Sequence, residues 1–241
     1  MTAFATQTVP PANSDEPPGR VAGPPRAFTS PELAFLIGVP LLWGILLLFH
    51  PGGEGTEIYL DLQDNVTRWM VVHVGMLLFI PLIAVALYVL LRGVEGTAAR
   101  VSRIALVPFV VFYSAFETLQ GIGNGVLVNA VKGLPQVDQA TRADLVQDFA
   151  EHALVRDLGV FSSIGSLGFI TAAIAAGVAL RRAGAPLTVP VLLALSGFLI
   201  TAHPPPFGPA GLALFVAAVL LFKGSQSGDG PPASLGQPSA A

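Results

Sequence analysis

The chain has 241 residues, of which 53% are apolar and 11% charged, and its formal net charge is −3. Soluble domains run about 25% charged, so the long uninterrupted apolar blocks read as membrane spans rather than as one large soluble core. The balance of charge, with no Lys/Arg-rich stripe, excludes nucleic acid as an expected partner. The absence of cysteine excludes disulfides, thiolate metal sites, iron–sulfur clusters and thiol catalysis.

Residues 1–29, rich in Pro, Thr, Ala and Ser, predict a disordered tail without the basic start and apolar core of a signal peptide. Ser30-Pro31-Glu32 supplies an N-cap, a proline at the first helical position and an acid in the first turn. A first span follows over about 33–49, with Pro40 inside it, and His50-Pro51-Gly52-Gly53 ends it. After an acidic loop, Trp69 is placed as an interfacial anchor and opens a second span, about 69–91, with His73 one turn in.

Residues 92–103 read as a short basic connection to a third span, about 103–130. In it helical spacing sets Ser114, Glu117, Gly121 and Asn124 on one stripe with Gln120 at its edge. Gly121-Ile122-Gly123-Asn124-Gly125 sits inside a span, where it predicts a kink or a close helix contact rather than a dinucleotide loop.

Residues 138–157 predict an amphipathic helix along the interface, with Thr141 and Asp144 as a capping pair and Leu145, Phe149 and His152 on one side. The fourth span, about 158–180, is rich in small residues and continues the His152–Arg156 face through Gly159, Ser163, Ser166 and Ile170. A fifth span, about 186–202, aligns Ser196, Ile200 and His203. A proline-rich reversal leads to a short sixth span, about 209–222, and residues 224–241 predict a second flexible tail. The expected fold is an all-α polytopic membrane protein: six transmembrane helices and one interfacial helix.

Six spans put both termini on one side. Eight basic residues fall on that side (Arg20, Arg26, Arg92, Arg100, Arg103, Arg181, Arg182, Lys223) against four on the other (Arg68, Lys132, Arg142, Arg156). By the positive-inside rule the termini are cytoplasmic. Ala-, Gly-, Pro- and Arg-rich usage points to a bacterial-type cytoplasmic membrane.

All four histidines then lie at outer helix ends, and Glu117 lies past the midplane toward them. A carboxylate facing lipid costs roughly 3 kcal/mol on the insertion scale, so Glu117 should face other helices or water. The reading is an outer-facing polar pocket with Glu117 as the catalytic acid/base or ligand and Ser114, Gln120, Asn124, Ser163, Ser166 and Ser196 around it. A divalent metal ion is the candidate cofactor, on His73, His152 and His203, with His50 the weaker candidate; His50 and His203 each precede a proline and can simply finish their helices. No HxxxH spacing marks the ion locally, and Arg156 and Asp157 read as interfacial charges. Three functions fit: a metal-dependent membrane enzyme on a lipid or other apolar substrate, a proton-coupled carrier, and a non-catalytic subunit of a complex. The bilayer is the expected partner, and the sequence identifies no protein partner.

Overall fold

A computed structural model describes residues 27–51 and 57–227, so the expectations for residues 1–26 and 228–241 and for Gly52 to Thr56 fall outside the described residues. Among the described residues the fold is all-helical. The helices are α1 (Ser30–Leu47), α2 (Ile58–Leu62), α3 (Val66–Leu90), α4 (Thr97–Lys132), α5 (Gln136–Ala150), α6 (Val160–Arg182), α7 (Thr188–Thr201) and α8 (Phe207–Ser227). Five of them, α1, α3, α4, α6 and α8, are long and apolar enough to cross a membrane; α7 is apolar but shorter.

These six helices form a ring. Each packs on the next in chain order, and α8 returns to α1. Inside the ring Trp43, Met76, Phe109, Phe169 and Phe215 are fully buried. Small residues bring the backbones together where α4 meets α6. A Cβ added at Gly165 would stand 2.7 Å from the Tyr113 nitrogen, and one at Gly168 would stand 2.7 Å from the Phe109 nitrogen. The same seam carries one buried hydrogen bond, Ser102 Oγ donating to the Ala172 carbonyl at 2.8 Å.

Several boundaries move from their sequence positions. Thr29, not Ser30, caps α1, and it forms a full capping box with Glu32. The basic connection before the third span is largely helix, because α4 starts at Thr97. Pro135, not Thr141, precedes α5, so the supposed capping pair lies within the helix, which stops at Ala150. Residues 151–159 are turns rather than more helix. The last span extends back to Phe207 and on to Ser227, into the expected tail.

Above the ring, α2, α5 and the 151–159 segment make a cap on the C-terminal end of α4. The Ile58 amide donates to Gln147 Oε1 at 2.9 Å, Tyr59 donates to Gln139 Oε1 at 3.2 Å, and Lys132 Nζ donates to the Gln63 carbonyl. Tyr59, Leu62, Val128, Val131 and Val146 form a small apolar cluster beneath.

Gly165→Val is expected to destabilise the fold by about 1–3 kcal/mol through overpacking against Tyr113. Gly38→Val, with nothing within 4 Å of the added Cβ, should stay within about 0.5 kcal/mol of the parent. Unfolding of the two variants in detergent measures both.

Candidate metal centre

Glu117 lies halfway along α4, where the helix widens. Residues Phe109–Tyr113 and Glu117–Gly123 run as π-helix, and only Ser114–Phe116 between them keeps α geometry. Wider turns align positions four apart, so Phe109, Tyr113, Glu117, Gly121 and Gly125 all face inward and are buried. The glycines make this possible. A Cβ on Gly121 would collide with the His73 ring, and one on Gly125 with the Met70 sulfur.

Three imidazoles meet above Glu117. His50 comes from the chain just past α1, His73 from the second turn of α3, and His203 from the turn after α7. One ligand nitrogen from each lies within 4.8 Å of the other two, and all three residues are buried. Their ring centroids stand 5.1, 5.2 and 6.0 Å apart. Glu117, 1% exposed, reaches His73 Nε2 with Oε2 at 3.7 Å and His203 Nδ1 with Oε1 at 3.6 Å.

The outer contacts fix ring orientation. His73 Nδ1 donates to the Trp69 carbonyl at 2.8 Å, which leaves Nε2 with its lone pair toward Glu117. Trp69 in turn donates its indole N–H to the Gly121 carbonyl at 2.5 Å and lies 4.1 Å from the His73 ring centroid. Tyr113 gives its proton to the Thr201 carbonyl at 3.0 Å, so its oxygen accepts from His203 Nδ1 at 3.2 Å and Nε2 is left free. Burial, with Arg68 adding to it and the Pro51 backbone opposing, holds the His50 imidazole below its ordinary pKa and so neutral.

Both nitrogens of His50 and both oxygens of Glu117 are buried without a hydrogen-bond partner. Buried polar groups are nearly always satisfied, so these unpartnered atoms beside three imidazoles gathered within 4.8 Å make a cluster that could hold a metal ion. Three neutral imidazoles and a carboxylate are the donor set of Zn²⁺ or Fe²⁺. An ion at about 2.0–2.1 Å from each nitrogen sets neighbouring nitrogens roughly 3.4 Å apart, so small side-chain rotations close this cluster around one.

The cluster forms part of the wall of a cavity of about 820 Å³. Gln120, Ser163 and Ser166 line it as expected from the sequence, whereas Ser114, Asn124 and Ser196 do not. Asn124 instead folds back on Gln120, donating to its carbonyl at 2.8 Å. His152 is a correction: it is exposed, its Nδ1 accepts the Leu154 amide at 3.3 Å, and it stands apart from the other three. The break in helix after Ala150 turns it away. His50, ranked last from sequence, is a full member of the triad. Trp69, expected as a surface anchor, is buried under His73.

Tyr113, Arg156 and Asp157 also line the cavity. The helical period alone does not separate Tyr113 from Ser114, because positions four and three before Glu117 both lie near its face. Burial raises the Asp157 carboxyl above its ordinary pKa.

Comparison with protein-family models, with curated proteins and with solved structures finds no match.

Gly121→Ala is expected to push the His73 ring off its position and to weaken zinc binding by about 10–100-fold, the usual effect of a lost supporting contact. Gly123→Ala, whose Cβ meets only the edge of the Phe149 ring at 3.2 Å, should leave it unchanged. Zinc titration of metal-stripped protein reads the difference.

Proposed function

We propose that this chain is a metal-dependent multi-pass membrane enzyme acting on a lipid or other apolar substrate, with a divalent ion on His50, His73 and His203 beside Glu117. The single observation that carries the reading is the gathering of three buried imidazoles, with ligand atoms within 4.8 Å of one another, at the wall of the cavity that Glu117 also lines. An ion there would polarise a substrate oxygen and lower the pKa of a coordinated water. Glu117, with one oxygen toward each of two imidazoles, is the group placed to accept the proton or to complete the ligand set. Trp69 and Tyr113 orient the rings. Gln120, Ser163 and Ser166 offer hydrogen bonds to the polar part of a substrate.

A proton-coupled carrier fits less well. Beyond Glu117 the described core is mostly apolar, with Tyr113, Phe109, Phe169 and Met76 all essentially inaccessible.

The topology belongs to the same proposal: six spans including the short α7, α5 lying at the outer surface, and both termini in the cytoplasm. The chain has no cysteine, so each introduced thiol is unique. In intact cells Val137→Cys on α5 should react with an impermeant maleimide and Leu187→Cys before α7 should not; both positions are exposed. The reverse pattern would invert the topology.

Elemental analysis of purified protein is expected to find about one zinc or iron per chain, the occupancy of a single site. His50→Ala, His73→Ala and His203→Ala each lose it, and His152→Ala keeps it. Protein that stays metal-free after loading, with these variants as stable as the parent, would remove the enzyme reading and favour a structural subunit.

A further inference from the structure

The ring has a gap in its wall, and the gap follows from one short helix. At 14 residues, α7 is about 21 Å long, against about 30 Å of bilayer hydrocarbon. Its register on α6 is fixed by Gly197, whose added Cβ would sit 3.0 Å from Ala173 Cβ and 3.4 Å from Ile170 Cα, and by Gly177 against Pro190 at the other end. Counting four residues on from Gly197 in this antiparallel pair sets Thr201, the end of α7, level with Ser166 and Leu167. The first two turns of α6, Val160–Ser166, therefore rise roughly 10 Å beyond the end of α7 with no helix beside them on that side. The chain there turns inward instead, and this turn delivers His203 to the cluster.

The residues bordering this gap belong both to the cavity and to the outer surface. Leu167 lines the cavity and is 63% exposed; Ala202, at the end of α7, lines it and is exposed. Between them Ile170 and Thr201 are half-buried lining residues. Going inward the surface changes character, from Leu167 and Ile170 to Ser166 and Ser163, and then to Gln120 and Glu117. That sequence of surfaces matches an amphiphile lying with its hydrocarbon toward the bilayer and its polar end toward the imidazoles. The outward faces of α6 and α7 on either side carry Val178, Val191 and Phe198, all exposed and apolar, so the gap opens on surface suited to lipid tails rather than on water.

We infer that the opening between the first turns of α6 and the end of α7 is a lateral portal through which one acyl chain of a bilayer lipid enters the cavity, its polar end directed to the His–Glu cluster. The inference rests on the membrane reading of the ring but not on the presence of metal.

The test uses the full chain in phosphatidylcholine nanodiscs containing a phosphatidylcholine with a diazirine in its acyl chain, irradiated and mapped by mass spectrometry. Adducts are expected on the enclosed side chains Phe116, Ser166 or Thr201 as well as on outward Phe198 and Val191. Adducts confined to the outward residues would overturn the portal. Ala202→Trp and, separately, Leu167→Trp place an indole in the gap at exposed positions. Both should abolish the enclosed adducts while leaving the outward adducts and the metal content unaltered. Enclosed adducts that survive both substitutions would show access by another route and overturn the inference. Enclosed adducts in protein that binds no metal leave the portal standing and remove the catalytic reading; bound metal without enclosed adducts does the opposite.

Discussion

A carboxyl group at 1% exposure without a hydrogen-bond donor is the constraint around which this ring is arranged. Whatever its protonation state, Glu117 needs a partner: a cation if ionised, an acceptor for its proton if not. The nearest nitrogens, at 3.6 and 3.7 Å, are too distant for good hydrogen bonds. An unpaired ionised group in a protein interior costs several kcal/mol, more than a small helical bundle spares easily. One divalent ion between the imidazoles would give Glu117 and one nitrogen of His50 a partner together.

The neighbouring structure holds that geometry through backbone rather than through long side chains. In an α-helix each residue turns about 100°, so restoring regular geometry in the wide segments of α4 would swing Glu117 off the inward face. Wide turns recur at functional sites because the helix gives up regular bonding there to aim a side chain. Here they also present a carbonyl, that of Gly121, to the Trp69 indole. The absence of a Cβ at the same residue admits the His73 ring. One position on α4 therefore fixes both the tryptophan and the histidine of α3.

Much of this was legible in the sequence and some of it was not, for physical reasons. The apolar blocks located every long helix, and the energetic penalty on an intramembrane acid correctly pointed Glu117 inward. Helical period recovered Gln120, Ser163 and Ser166 as cavity residues. It does not decide between the neighbours of Glu117: Ser114 and Tyr113, three and four residues before it, are both near its face at α spacing, and the cavity takes Tyr113. His152 was included because one helix was drawn through residues that turn after Ala150. His50 is the weaker candidate from sequence, yet α1 ends at Leu47 and the chain beyond it brings this imidazole to the other two. Arg156 and Asp157 read as interfacial charges, and they line the cavity from the turns after α5, which no local pattern encodes.

The short helix α7 joins the two halves of the argument. Had it continued for two more turns, His203 would sit within a regular helix and its Nδ1 would lose the approach to Tyr113 that frees Nε2. Ending at Thr201, the helix gives up wall and lets the chain bring an imidazole to the cluster. The missing wall is not repaired by a neighbouring element, although α8 starts close by and packs tightly enough that a Cβ on Gly211 would stand 2.7 Å from the Ile200 nitrogen. A bundle selected only for stability would close such an opening with apolar side chains, since exposed polar lining at hydrocarbon depth is unfavourable. That Ser163 and Ser166 remain behind it is consistent with a gap kept open because something from the bilayer passes through.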